Sequence, residues 1–242
     1  MQKSIHLILQ GKGGVGKSLV ASWLSQYFYS NRENKVKCID TDPVNHTLTS
    51  YKSLNAEHLE ILENSSIISR NFDHLMIKFF EDNYTHYVVD NGASSFIPLS
   101  NYLVENNAFE ILSEAGIKIY IHSIITGGQA LFETLSGFKS LADHTNNCSF
   151  IIWLNEYFGL IESDGKNFYD MKVYNENKSK ILGTILIKRR TDDTFSRDIE
   201  LMITNKMTFE DFNQSSAFNI MEKQRIKIVQ REIFHQLSKL DF

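Results

Sequence analysis

The chain of 242 residues is poor in the residues that mark several protein classes. Two cysteines, Cys38 and Cys148, are too few for a disulfide framework or a cysteine-only metal site, and they form no CxxC. Both lie in apolar runs, where a buried free thiol is expected, and that usage suits a reducing cytoplasm. The eight histidines make no HExxH and no close pair in sequence, which argues against a histidine-built metal site. Only two prolines, Pro43 and Pro98, occur, with no repeat, low-complexity tract or linker, so one domain over residues 1–242 is expected. No run approaches the ~18 apolar residues of a membrane helix. The apolar run Ile5 to Leu9 is broken by His6 and followed at once by glycines, so it does not read as a signal peptide. A cytoplasmic location without an integral membrane segment follows as the expectation. An excess of one charge is lacking too. The net charge of −4 argues against a surface that coats nucleic acid everywhere and leaves room for a local basic patch.

The apolar segments that are present alternate between two periods. Ile5–Gln10, Val36–Ile39, Tyr84–Val89, Ile117–Ile125, Phe150–Leu154 and Ile181–Ile187 read as strands. Helices are expected over Ser18–Ser30, Ile67–Phe80, from Gly128 to about His144, and over Ala217–Leu240. The stretch Asn155–Lys180, rich in Asn, Tyr, Lys and Glu, reads as a surface excursion with a short helix. Two-sided apolar strands alternating with helices predict an α/β fold with a mostly parallel, twisted sheet and helices on both faces. Ligands in such folds sit beyond the carboxyl ends of the strands. Gly11, Asp40, Asp90 and Asn155 all fall at such ends.

Residues 11–18, Gly-Lys-Gly-Gly-Val-Gly-Lys-Ser, satisfy G-x-x-x-x-G-K-[ST] between a predicted strand and a predicted helix. Glycines let successive backbone N–H groups turn toward phosphate oxygens, and a helix N-terminus favours negative charge. Gly11, Gly13, Gly14, Val15, Gly16, Lys17, Ser18 and Leu19 are therefore the expected nucleotide contacts, with Lys17 on the β- and γ-phosphates and Ser18 on Mg²⁺. No N-K-x-D follows a strand, which favours ATP over GTP.

With its second lysine, Lys12, this loop resembles the deviant Walker A motif of the ParA/MinD group of P-loop ATPases. The resemblance implies that Lys12 reaches the nucleotide of a partner subunit in an ATP-dependent homodimer. Asp40-Thr41-Asp42-Pro43 is similar to the group's switch I, which implies that Asp42 orients the attacking water and Asp40 sits by the metal. Tyr87-Val88-Val89-Asp90 resembles a Walker B strand, with Asp90 as a Mg²⁺ ligand, and Asn155 matches an asparagine that contacts adenine. Gly92 suits a flexible sensing loop, with Ser94 and Ser95 as candidate polar contacts. By the same likeness, Lys12, Lys17 and Asp42 are the catalytic candidates, and Ser18, Asp40 and Asp90 the metal candidates.

The segments LQGKGGVGKS, CIDTDPVN, DNGASSF, TGGQA and QRIKIV look like those of the TraL/StbB conjugation and plasmid-stability proteins, spread from residue 9 to residue 229. That likeness implies an ATPase switch serving conjugative transfer or plasmid stability, or else a nucleotide-binding adaptor with little turnover that recruits relaxosome, centromere-binding or type IV secretion components. Lys188, Arg189 and Arg190, with Lys223, Lys227 and Arg231 on the C-terminal helix, are the candidates for non-specific DNA contact. A solvated helix face is the competing reading for them.

Overall fold

The computed structural model describes residues 2–81 and 84–242. Seven strands form one sheet: β1 (Ser4–Ile8), β2 (Val36–Asp40), β3 (Glu57–His58), β4 (His86–Asp90), β5 (Lys118–Thr126), β6 (Ser149–Asn155) and β7 (Ile181–Ile187). Their order is β7-β6-β5-β1-β4-β2-β3, and every pairing within the sheet is parallel. The chain builds outward from β1 to β2 and β3, returns through β4 beside β1, and then crosses to β5 on the other side. The segment after β1 therefore emerges where the winding reverses, the crevice at which open parallel sheets bind ligands.

Nine helices of α type cover the sheet among the described residues. They are α1 (Lys17–Tyr29), α2 (Asp73–Glu81), α3 (Phe96–Glu105), α4 (Ala108–Glu114), α5 (Leu131–His144), α6 (Lys172–Asn177), α7 (Arg197–Thr204), α8 (Phe209–Gln214) and α9 (Ile220–Leu237). Successive strand residues point to opposite faces, and here both faces are apolar. Val89, Ile121, Ile152 and Leu154 pack with Leu99, Leu103 and Phe138 of α3 and α5. Val88, Ile151, Trp153 and Ile185 pack with Trp23, Phe212, Val229 and Ile233 of α1, α8 and α9. Full burial of each such side chain contributes about 1.5–3 kcal/mol. No helix among the described residues is long and apolar enough to cross a membrane.

The second face carries a buried polar chain that crosses four strands. Trp153 Nε1 donates to His122 Nδ1 at 2.9 Å. An indole N–H only donates, so a neutral His122 holds its proton on Nε2 and donates to His6 Nδ1, 3.0 Å away. His6 Nε2 then donates to Ser4 Oγ at 2.9 Å, and the Ser4 hydroxyl donates to His86 Nδ1 at 2.7 Å. Burial drives all three imidazoles toward the neutral form. His6 lies well below its usual value, with His122 and His86 adding repulsion, while His86 falls to about 4 and His122 to about 3. The sequence shows no close histidine pair because the partners come from three different strands. No group of three or more His, Cys, Asp and Glu side chains placed to hold a metal occurs among the described residues.

The strand expectations hold to within a few residues, and Ile181–Ile187 is reproduced at both ends. The helix expected over 67–80 begins later, at Asp73. Ser66–Ile67 pair antiparallel with Leu62–Glu63 across Asn64 and Ser65, both left-handed, so a tight hairpin takes the first residues. The C-terminal helix starts at Ile220 rather than Ala217, because Asn219 caps it and Glu222 reaches back to the Asn219 N–H. The excursion after β6 holds the expected short helix, α6, together with a small hairpin of Glu162–Ser163 and Lys166–Asn167. Helices α3, α4, α7 and α8 had no counterpart in the sequence reading. Cys38 is buried and Cys148 partly so, both as free thiols.

Candidate functional site

Beyond the carboxyl ends of β1, β4 and β6 lies a cleft of about 1060 Å³. One wall is the glycine loop and the start of α1. Gly16 caps this helix in a left-handed conformation (φ +102°), no side chain caps it, and its first turn carries no acid. The first N–H groups of α1 are thus left for an anion, with nothing competing for the partial positive charge. Gly13, Gly14, Gly16, Lys17, Ser18 and Leu19 line the cleft. Val15 is buried beneath the loop, and Gly11 and Lys12 face a separate hollow. Lys17 Nζ donates to the Lys12 carbonyl at 2.9 Å. Burial lowers the Lys17 pKa, against the opposing pull of Asp90 and Asp42.

The three aspartates have different surroundings. Asp90, at the end of β4, is 1% exposed, and neither carboxylate oxygen has a hydrogen-bond partner of normal geometry. Burial raises its pKa to about 7. The Ser18 hydroxyl and Lys17 partly offset this, while Asp40 and Asp42 add to it. A buried carboxylate with a serine hydroxyl beside it supplies the oxygen ligands that a hard cation such as Mg²⁺ takes, while the ammonium of Lys17 suits phosphate oxygens instead. Asp40 is committed elsewhere. Its Oδ1 accepts from the Asp42 N–H at 3.0 Å, and its Oδ2 from the Leu48 and Thr49 N–H groups at 2.9 and 3.2 Å. These bonds hold the loop 41–49 in place, and burial raises the pKa of the carboxyl. Asp42 lines the cleft, and its Oδ1 accepts from Val44 and Asn45 at 2.9 and 3.1 Å.

The segment after Asp90 is tied to the start of the loop 41–49. Asn91 Oδ1 accepts from Thr41 Oγ1 at 3.0 Å and from Ser95 Oγ at 2.8 Å. Ser95 is therefore turned inward and fully buried, and of the two serines it is Ser94 that lines the cleft. Gly92 is required by close approach rather than by flexibility. A Cβ at this position would lie 2.7 Å from Asp42 Cγ and Oδ1.

Asn155 lines the cleft, but both ends of its amide are engaged. Nδ2 donates to the Val15 carbonyl at 3.0 Å, and Oδ1 accepts from the Tyr157 N–H at 3.1 Å. It ties β6 to the phosphate loop and keeps one donor and one acceptor position for a ligand. Lys12 points away from the cleft, its Nζ 2.7 Å from Glu133 Oε2.

The basic cluster borders the cleft. Lys188, Arg189 and Arg190 follow β7 and line the far wall of the cleft. Arg190 pairs with Glu232, and Lys188 lies 4.0 Å from the same carboxylate, so one acid offsets part of the charge of this cluster. The strand-end rule that picked out Asp90 and Asn155 also applies to residues following Ile187, and could have placed this cluster. Lys223, Lys227 and Arg231 make no ion pair among the described residues, whereas Arg225 is held by Asp198. Sequence reasoning missed Tyr51 and Phe158, which line the cleft, and Glu133. Burial and the charge of Asp90 push the Tyr51 hydroxyl up to about 12.

Comparison with known proteins agrees with this geometry. Residues 6–226 match the CobQ/CobB/MinD/ParA nucleotide binding domain. Two Escherichia coli proteins called Protein TraL are 43% and 44% identical over 235 residues, covering 97% of this chain and 97% of each relative. Among solved structures, a ParA family ATPase from Chlorobium tepidum TLS superposes with a TM-score of 0.54 at 13% identity, over 94% of this chain and 98% of the other. The MinD cell division protein of Aquifex aeolicus gives 0.52 at 16% identity, over 99% and 98%. At such identities the two structures speak for the fold alone.

Proposed function

The chain belongs to the CobQ/CobB/MinD/ParA nucleotide-binding family and, within it, to the TraL proteins, and from that premise we propose that it is an ATPase switch. In this reading it binds Mg-ATP in the cleft, dimerises, and returns to the monomer on hydrolysis, in the service of conjugative transfer or plasmid stability. The observation that carries the reading is the orphaned Asp90 carboxylate behind an uncapped phosphate loop. A glycine-rich turn with no cation to receive would gain nothing from a buried acid supported by little more than the Ser18 hydroxyl and the Lys17 charge, which is costly to keep ionised.

The residues take the following roles. Gly13, Gly14 and Gly16 offer backbone N–H groups to the phosphates. Lys17 leaves the Lys12 carbonyl for the β- and γ-phosphate oxygens. Ser18 and Asp90 hold Mg²⁺, with Asp40 fixing the loop beside them. When bound, the cation neutralises charge on the phosphate oxygens. Asp42 Oδ1 is occupied by loop amides, which leaves Oδ2 to orient the attacking water and take its proton. Lys12 is the lysine supplied to the partner's nucleotide. Asn155 and the wall formed by Tyr157, Phe158 and Arg189 receive the base.

The test is release of phosphate from γ-labelled ATP, with and without Mg²⁺. Magnesium-dependent release is expected, and Lys17→Ala should abolish nucleotide binding. Tight Mg-ATP binding without release, with or without DNA, would replace the switch by a nucleotide-dependent adaptor. Failure of the unmodified chain to bind ATP would overturn both.

A further inference from the structure

A second hollow, of about 450 Å³, lies on the side of the phosphate loop away from the nucleotide cleft. Gln10, Gly11 and Lys12 form one bank, and Phe132, Glu133 and Ser136 of α5 form the other. The Lys12–Glu133 ion pair spans it, with side chains 39% and 60% exposed. The platform that carries Glu133 is fixed. Gln10, fully buried at the root of the loop, donates from Nε2 to the carbonyls of Ile124 and Thr134 at 2.9 and 3.1 Å. Thr134 Oγ1 in turn donates to the Leu131 carbonyl at 2.9 Å. The first turn of α5 is thereby locked to the strand that feeds the loop, and Glu133 is presented to Lys12 rather than left to find it.

We infer that Glu133 is a positioning residue that holds Lys12 against its own subunit until a second copy of the chain docks. This rests on the dimer reading above. Lys12 cannot serve a partner's nucleotide while it is closed on Glu133, so docking must exchange one carboxylate for phosphate oxygens. The exchange runs toward the phosphates because a triphosphate offers several charges where Glu133 offers one. A half-exposed ion pair is weak enough to open, yet it subtracts its own strength from dimerisation at each of the two loops. The pair thus sets a threshold. Without nucleotide in the partner, Lys12 returns to Glu133, and nothing repays the opening.

The experiment measures dimer dissociation of the full chain by sedimentation in Mg-ATPγS for the unmodified protein, Glu133→Gln, Lys12→Ala and the double variant. Exposed pairs of this kind shift equilibria by roughly 1.4- to 5-fold, so opening two of them predicts a dimer about 2- to 25-fold tighter in Glu133→Gln. The gain should shrink as salt rises, and it should vanish in the Lys12→Ala background. A thermal midpoint close to the parent would separate this from a structural role for Glu133 in α5. An unmodified chain that dimerises while Glu133→Gln does so equally or more weakly overturns this inference alone. An unmodified chain that stays monomeric in Mg-ATPγS overturns the dimer reading and this inference with it.

Discussion

Asp42 and Gly92 show how far a single atom governs this site. The Asp42 carboxylate occupies the space in which any other residue at position 92 would carry its Cβ. Gly92→Ala must therefore push Asp42 outward or bend the loop after Asp90, while the phosphate loop itself keeps its contacts. Misplacing a catalytic group by about 1 Å costs on the order of 100-fold in rate. A 10- to 100-fold fall in ATP turnover is thus expected, with ATP affinity within about threefold of the parent. A fluorescent-nucleotide titration beside a phosphate-release assay checks it, and parallel losses in both would show that the glycine serves the whole cleft instead. The identity of the motif residues was legible in the sequence because each has a fixed spacing or a strand end beside it. Their commitments were not. That Asp40 spends its oxygens on the N–H groups of residues 42, 48 and 49, or that Lys12 rests on Glu133, depends on how a loop closes and on a helix more than a hundred residues away.

At the scale of elements, periodicity exposed what is long and regular. β7 has the expected extent and α5 ends at His144 as expected, while its first residues, Gly128–Ala130, form a separate 3-10 turn before Leu131. Short helices are another matter. α8 has six residues and α4 has seven, too few turns for a stripe to declare itself, and both depend on packing for stability. Their caps were nevertheless written in the sequence. Thr208 and Asp211 form a capping box at α8, as Asn219 and Glu222 do at α9. The second box matters more, since α9 packs Ile226, Val229, Ile233 and Leu237 into the core beneath α1. Asn219→Ala leaves the N–H groups of Met221 and Glu222 without an acceptor. The expected loss is about 1 kcal/mol, or roughly 2–4 °C in Tm for a chain of this size. Nucleotide affinity should not change, because α9 does not line the cleft. Calorimetry with and without ATP distinguishes this from a cap that also holds the site.

For the whole molecule, pH sets two groups of buried and half-buried side chains against each other. His6, His86 and His122 are depressed in the folded chain, so the unfolded chain takes up protons first. Their contribution to stability is complete above about pH 6.5 and is lost as pH falls toward their folded values. Asp90 and Asp40 are raised, so their contribution has the opposite sign, present at low pH and lost as pH rises, through about 7 for Asp90. Near pH 5 three protons compete with at most two. The histidines prevail, and stability should fall by about 1.4–2.7 kcal/mol per pH unit on acidification. Between pH 6.5 and 7.5 the curve should flatten or turn over as Asp90 ionises. Mg²⁺ should then lift the high-pH side, because a cation favours the ionised carboxylate. Urea unfolding from pH 5 to pH 8 reads the slope directly. His122→Phe, which removes one titrating ring from the buried chain, should reduce the acid-side slope by about 1.4 kcal/mol per unit even where it lowers overall stability. An unchanged slope in that variant would mean that His122 is already charged in the folded protein. The proton direction imposed by Trp153 would then be wrong along the whole chain from β6 to β4.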